Sequence, residues 1–302
     1  MRRPAIALTA FLAAIPGSAD AQSPGTLSEP VTISFLTNPT DLIFIPATLA
    51  DTIALAVILD TGAGVDVLAP SRIRQAGGVP AGWFTGFRMT GERLDGRMYL
   101  VPSLKVGPRE SKNAMVVGWD LLDSLKLDGI ISMTGFRHQP LTIDFVARTV
   151  TFESPRSLAR RRSNGRVAPL QLHDIRGRAL DLFAGFDFGG MPGDCLIDTG
   201  TPSSRAHLRY MAPLGIDTTA LDSISGHGVV RRERRALTGV IELQYQATVP
   251  AVSLSGSPDV SVQAPRVTFS DIIYDCVIGK SFWEGRELTI DIEHQELIVS
   301  TP

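Results

Sequence analysis

The 302-residue chain has few of the residues that build metal sites or disulfide scaffolds. It contains two cysteines and five histidines, and none of them stands at the spacing of zinc ligands. Its serines do not occur in the Gly-x-Ser-x-Gly pattern of a nucleophile elbow. The sequence therefore gives no support to a zinc enzyme or to a serine hydrolase of that type, and we expect no metal site.

The chain also lacks a strong charge of either sign and a long apolar run. Its formal net charge is −2, with 20% charged residues, which gives no indication of nucleic-acid binding. The apolar stretch at residues 5–15 is too short to cross a bilayer, and no later segment is longer. We expect no nucleic-acid partner, no cofactor and no membrane span.

The N-terminus has the pattern of an export signal. Arg2 and Arg3 precede the apolar stretch, and residues 19–21 (Ala-Asp-Ala) have the small-x-small form of a signal-peptidase site. A membrane anchor is the alternative, and the short apolar stretch disfavours it. We predict that residues 1–21 are a signal peptide and that the chain is exported, to the periplasm or the medium.

The rest of the chain reads as mainly β. It has 28 glycines and 20 prolines, and its short apolar runs are mostly β-branched and lie between turn signals. Helices should be few and short, and the candidates are residues 71–76 and 204–214.

The triplet Asp-Thr-Gly occurs twice, at residues 60–62 and 198–200, each time after an apolar run. The run indicates a buried strand that leads into a turn, where the glycine permits close backbone approach. Two ordinary strand-ending turns are the alternative, because turns use the same residue types.

A longer repeat surrounds the triplets. Downstream of the first lies an Asp128 motif (LDGIIS), and downstream of the second an Asp275 motif (YDCVIG). From Asp128 to Leu141 is 13 residues, and from Asp275 to Leu288 is also 13; both leucines begin Leu-Thr-Ile-Asp. Motifs that recur in one order at fixed spacing indicate duplication of a folding unit.

With these motifs the chain resembles the aspartic peptidases of the pepsin and retropepsin type, over residues 45–153 and 167–300. The resemblance implies a mainly β, bilobal acid-protease fold. Two similar β-barrel-like lobes would form a pseudo-dimer within one chain, with the active site between them. We expect an N-terminal lobe at 22–153, a C-terminal lobe at 167–302, and a basic linker at 154–166 that is an exposed, cleavable loop.

The resemblance makes Asp60 and Asp198 the catalytic dyad, two carboxyl groups so close that they share one proton. A hydroxyl beside one aspartate favours its ionised form, and the second triplet is followed by Thr201 where the first has Ala63. We therefore expect Asp198 to be the charged partner. The remaining residues of the supporting loops are Thr61, Gly62, Thr199, Gly200 and Thr201.

The chain departs from the family pattern in two places. Ser132 stands where the family has a glycine after two apolar residues, although Gly279 fits. The flap, a hairpin that covers the substrate, is best matched by residues 87–98, with turns at 90–91 and 95–96. Tyr99 falls at the base of this hairpin, so the tyrosine of pepsin-like flaps has no clear counterpart.

Two further features allow alternatives. The family fold would bring Cys195 and Cys276 close together, as a disulfide or as two buried free thiols. The basic run at residues 231–235 falls in the second half where the first has its flap. It would either line the cleft and favour acidic substrates or form a solvated hairpin, and charge runs usually favour the latter.

The sequence thus predicts a monomeric aspartic endopeptidase that hydrolyses peptide or protein substrates, by default at acidic pH. The alternative is a non-catalytic peptide-binding protein that keeps the same fold. Ser132 in place of glycine and the missing flap tyrosine favour this alternative. In a third arrangement each half would pair with another chain instead of with its neighbour.

Overall fold

The computed structural model describes residues 27–37, 42–217, 229–235, 239 and 241–300, so the predicted signal peptide lies outside the described residues. Strands dominate these ranges, as the short β-branched runs predict. The helices are short: α1 (Pro70–Gln75), α2 (Asp120–Leu125), α3 (Pro155–Asn164) and α4 (Lys280–Trp283), with 3₁₀ turns at Thr134–Phe136 and Leu208–Tyr210.

The strands, numbered along the chain, fall into two halves. Those of the first half are β1 (Val31–Ser34), β2 (Leu36–Thr37), β3 (Ile43–Leu49), β4 (Ile53–Leu59), β5 (Val67–Leu68), β6 (Val79–Phe87), β7 (Arg93–Val106), β8 (Arg109–Gly118), β9 (Gly129–Ile131), β10 (Leu141–Asp144) and β11 (Thr149–Phe152). Those of the second half are β12 (Arg166–Pro169), β13 (Gln171–Ile175), β14 (Ala179–Phe188), β15 (Met191–Ile197), β16 (Arg205–His207), β17 (Val230–Arg235), β18 (Ile241–Thr248), β19 (Ala251–Leu254), β20 (Ser257–Gln263), β21 (Arg266–Ser270), β22 (Cys276–Ile278), β23 (Glu287–Asp291) and β24 (Glu296–Ser300).

These strands form three sheets. An eight-stranded sheet contains β2 to β9, and β3 also pairs with β7, so the sheet curls back on itself. A ten-stranded sheet contains β13 to β22. The third sheet has the order β1-β11-β10-β23-β24-β12 and draws strands from both halves. The chain therefore folds as two lobes joined by a shared sheet, and the predicted bilobal β fold is confirmed.

The two lobes have the same strand connections around the Asp-Thr-Gly loops. In the first lobe β4 runs parallel to β9, and β5 lies between β9 and β8. In the second lobe β15 runs parallel to β22, and β16 lies between β22 and β21. The repeat seen in the sequence is thus a repeat of topology.

The last three residues of each strand that leads to a loop are buried on both faces. Val57 and Leu59 of β4 and Ile197 of β15 point into the main apolar core. Leu196 points to the opposite face of β15 and belongs to a second, smaller apolar cluster. The apolar lead-in to each triplet is therefore a strand held firmly in its lobe.

One helix prediction is confirmed and the other is wrong. Helix α1 covers residues 70–75, as expected for 71–76. The segment 204–214 instead contains strand β16 and a 3₁₀ turn. Strand β16 pairs with both β21 and β22, and this tertiary pairing outweighs local helical preference.

The prediction that the basic linker is an exposed loop is wrong, because most of it is helix α3. Ser154 is the N-cap, and it forms a reciprocal capping box with Ser157. Pro155 occupies the first helical turn, where its missing N–H is not needed. Local capping chemistry therefore starts a helix at this point.

Two arginines of α3, Arg161 and Arg162, are ion-paired with acidic residues in or next to the shared sheet. Arg161 bonds Glu153 at 3.0 Å and Glu287 at 2.6 Å, and Arg162 bonds Asp291 at 2.8 Å. The side chains of Glu153 and Asp291 are fully buried; Arg161 compensates the charge of Glu153, and Asp291 bonds both Arg162 and His294, each at 2.8 Å. The basic run thus ties the two lobes together.

Cys195 and Cys276 are direct neighbours across the parallel pair β15 and β22. They form a disulfide with a Cα–Cα distance of 4.4 Å, and both are fully buried. The bond joins the strand that ends at the second triplet to the strand that supports it.

Candidate active site between the lobes

Each Asp-Thr-Gly loop begins directly after a buried strand and is anchored to the parallel strand beside it. The amide of Asp60 donates to the Ile131 carbonyl at 3.0 Å, and the amide of Asp198 donates to the Ile278 carbonyl at 3.0 Å. Both loops are therefore held in the same way, one at the edge of each lobe.

The two aspartates face each other across the lobe boundary. A Cβ placed on Gly62 would lie 2.5 Å from Cγ of Asp198, and one on Gly200 would overlap the Asp60 carboxylate. Each glycine amide also donates to its own aspartate, at 2.9 Å for Gly62 and 2.8 Å for Gly200. Only glycine leaves room for two carboxylates at this position.

The threonines of the triplets interlock the lobes. The Thr61 hydroxyl donates to the Ile197 carbonyl at 2.7 Å, and the Thr199 hydroxyl donates to the Leu59 carbonyl at 3.0 Å. Each hydroxyl also accepts the other threonine's amide at 3.1 Å. These four buried bonds fix the separation and orientation of the two Asp-Thr-Gly loops.

Burial raises the pKa of both aspartates. At Asp60 this is opposed by bonds from the Gly62 amide, the Asp198 carboxyl and the Gly200 amide. At Asp198 the charge of Asp60 adds to burial, and the pKa rises well above its ordinary value. The two carboxyl groups are hydrogen-bonded to each other, so they titrate as one unit and share one proton when the pair is half ionised.

The pKa of Asp198, the partner expected to be charged because of Thr201, is thus raised more strongly than that of Asp60. Among the described contacts, the Thr201 hydroxyl donates no bond to Asp198; the Thr201 amide reaches the Asp198 carbonyl at 3.5 Å. The asymmetry arises instead from the bonds that the two glycine amides and Asp198 make to Asp60.

The departure at Ser132 has a structural reason. Its amide and hydroxyl both donate to Oδ1 of Asp66 at 2.8 Å, and Arg109 lies 3.8 Å from the same carboxylate. At the matching Gly279, a Cβ would lie 2.5 Å from the backbone of Ser203. Serine therefore supports the first loop through Asp66, while the second loop passes too close for any side chain.

Residues 87–98, predicted as the flap, include the turn between β6 and β7 and lie in the hairpin that these two strands form. Its tip is closed by a bond from the Arg88 amide to the Glu92 carbonyl at 2.9 Å, and Gly91 has φ +75°. The second predicted turn, at residues 95–96, is wrong, because both residues lie inside β7. Tyr99 pairs with Pro80 at the base of the hairpin, as expected.

Sequence reasoning missed several residues near the dyad. Burial raises the pKa of Tyr274 to about 12, with further contributions from the charges of Asp181 and Asp198. Arg205 forms a largely buried ion pair with Glu242 at 3.0 Å. Its positive charge lowers the pKa of Asp198 and so opposes the effect of burial. The available signal was their position in the sequence: Tyr274 begins the second downstream motif, and Arg205 lies five residues after the second triplet.

The basic run at 231–235 forms strand β17, which pairs with β18 and is mostly exposed. The solvated hairpin is therefore the better description of this run. Among the described residues, no group of three or more His, Cys, Asp or Glu is arranged to hold a metal ion. The same part of the chain has no helix long and apolar enough to cross a membrane.

No protein-family model and no curated protein matches the chain. It is similar to the structure of conglutin gamma, a basic 7S globulin from lupine seeds, with TM-score 0.54, 11% identity, and coverage of 91% of this chain and 95% of that one. It is equally similar to basic 7S globulin from soybean, with TM-score 0.54, 10% identity and the same coverage. Identity this low shows the fold alone, a bilobal fold of the protease type.

Proposed function

We propose that the chain is an aspartic endopeptidase that hydrolyses peptide bonds with a water activated by Asp60 and Asp198. The observation that carries the proposal is the face-to-face placement of the two carboxyl groups, which leaves no room for a Cβ at Gly62 or Gly200. Buried carboxyls with raised pKa values destabilise a fold, and such arrangements are concentrated at catalytic sites.

In this mechanism the water lies between the two carboxyl groups. Asp60, the ionised partner, accepts a proton from the water as its oxygen attacks the peptide carbonyl. Asp198, the protonated partner, donates a hydrogen bond to the carbonyl oxygen and stabilises the developing charge. The tetrahedral intermediate collapses when a proton passes to the leaving nitrogen. No metal or cofactor is required.

The substrate in this proposal is an extended peptide held under the flap. The β6–β7 hairpin offers backbone groups to which such a peptide bonds in a strand-like manner. We also propose that the protein is exported to the periplasm or the medium, as the N-terminal pattern predicts, and acts as a monomer whose two halves form one site.

A non-catalytic binding protein with the same fold is the second candidate. It is favoured by the structural comparison, because the two structures reported above are named basic 7S globulins and not peptidases. Against it stands the retention of both Asp-Thr-Gly loops with their complete set of interlobe bonds. A binding protein has no need of two opposed carboxyl groups.

Cleavage of a mixed peptide library, followed by mass spectrometry from acid to neutral pH, separates the two candidates. The parent chain should cut, and Asp198→Asn, shown to be folded by its unfolding curve, should not. Asp259→Asn, at an exposed position of strand β20, is the matched control and should cut like the parent. Peptides bound but left uncut by all three proteins would favour the binding protein.

A further inference from the structure

The flap tip is bonded to the opposite lobe. The Ile273 amide, in the loop before β22, donates to the Met89 carbonyl at 2.8 Å. Gly91 lies against the same residue, since a Cβ there would be 3.2 Å from Cγ2 of Ile273. The hairpin of the first lobe thus reaches across the cleft and rests on the second.

The flap tip packs against a small apolar cluster in the second lobe, and this cluster is the candidate pocket. Phe183, Leu196 and Val277 stand side by side in register across β14, β15 and β22, and Ile272 adjoins them. All four are at most 3% exposed, although they lie outside the main core. Met89 and Tyr274, both partly buried, pack against these four residues.

This pocket adjoins the dyad. Leu196 precedes Asp198 by two residues, so the alternation of strand β15 directs both side chains to the same face. Tyr274, at the rim of the pocket, senses the charge of Asp198. A peptide carbonyl placed between the two aspartates would bring a flanking side chain of the substrate to this pocket.

We propose that Met89 is an internal occupant of a substrate pocket and that the flap is closed by it in the resting state. This inference rests on the proposed peptidase function. The occupant indicates the chemistry of the side chain that replaces it: an unbranched or γ-branched apolar group, such as that of methionine or leucine, beside the scissile bond. A charged side chain would be desolvated there by an apolar lining.

A substrate must therefore displace Met89 before it is cut. The apparent affinity for peptide equals the affinity of the open form multiplied by the fraction of molecules in which the flap is open. Met89→Ala weakens the closed state, whereas Met89→Leu retains an apolar occupant of similar volume. Phe87→Ala is the matched control, because Phe87 lies on the same hairpin but is 61% exposed.

Hydrogen exchange at the Ile273 amide tests the closed flap without any substrate. Met89→Ala should exchange roughly tenfold faster than the parent at this amide, while Met89→Leu and Phe87→Ala should exchange like the parent. Unchanged exchange in Met89→Ala would overturn the proposal, whatever the protein does to peptides.

Cleavage of peptides that differ only beside the scissile bond tests the pocket. For the parent, kcat/KM should be roughly tenfold or more higher with methionine or leucine than with glutamate at that position. Met89→Ala should lower KM for the methionine peptide, with the Phe87→Ala value unchanged. Equal rates for glutamate and methionine would refute the pocket and leave the peptidase standing. No cleavage at all would refute the peptidase and the pocket, and Ile273 exchange would still decide the closed flap.

Discussion

Replacing Thr61 by valine removes the hydroxyl that joins the two Asp-Thr-Gly loops while nearly preserving side-chain volume. That hydroxyl donates to the Ile197 carbonyl at 2.7 Å and accepts the Thr199 amide at 3.1 Å. Thr61 is 0% exposed, so water cannot easily replace either bond. A buried carbonyl and a buried amide would be left unpaired.

The magnitude follows from these two groups. Each buried polar group left without a partner costs about 1–3 kcal/mol, so Thr61→Val should lower the free energy of unfolding by about 2–6 kcal/mol. Thr199→Val breaks the two matching bonds, with Leu59 and with the Thr61 amide, and should cost a similar amount. The double variant should lose less than the sum, because loops already separated have less to lose.

Urea unfolding of the three variants and the parent measures these differences. Thr52→Val is the control, since Thr52 is exposed and its hydroxyl bonds only the nearby Ala50 carbonyl at 3.2 Å. It should stay within about 0.5 kcal/mol of the parent. A Thr61→Val variant as stable as this control would refute the argument that the interlock holds the lobes together.

Three more predictions concern charge and covalent links. Folding raises the pKa of Asp198, so the folded state binds the proton more tightly and loses stability as pH rises above the ordinary value of 3.8. Asp198→Asn should therefore gain stability relative to the parent between roughly pH 4 and pH 7, and a constant difference in unfolding free energy would contradict this. Arg161→Met leaves the buried Glu153 carboxylate with its charge uncompensated and should cost about 3–5 kcal/mol in urea unfolding. The exposed Arg160→Met should cost less than about 0.5 kcal/mol, and equal losses would refute the ion pair's role. Reduction of the disulfide, which spans 81 residues, should lower the unfolding free energy by about 2–5 kcal/mol, whereas an unchanged urea midpoint with dithiothreitol would contradict it.

The sequence predicts the lobes and the dyad because their signals are local and repeated. An apolar run followed by Asp-Thr-Gly specifies a buried strand and a tight loop wherever it occurs. Two copies with equal downstream spacing then specify two similar lobes. The facing carboxyl groups of Asp60 and Asp198 follow from that symmetry, and from no feature of one half alone.

The wrong predictions arise where distant contacts decide the outcome. The basic linker looked like a solvated loop because Glu287, which pairs with Arg161, lies 126 residues away. Gly96 looked like a turn, but it lies in β7 where the side chain of Val117 occupies the place of its missing Cβ. The contact of Met89 with Ile273 likewise has no local sequence pattern.

The central claim is that Asp60 and Asp198 act as one catalytic unit, and the most direct test is the kcat/KM of Asp60→Asn, Asp198→Asn and the double variant on one cleaved peptide. We predict that each single variant falls to the level of the double variant, because a shared proton cannot be handled by one carboxyl group. Substantial activity in either single variant, with the double variant lower still, would contradict the account.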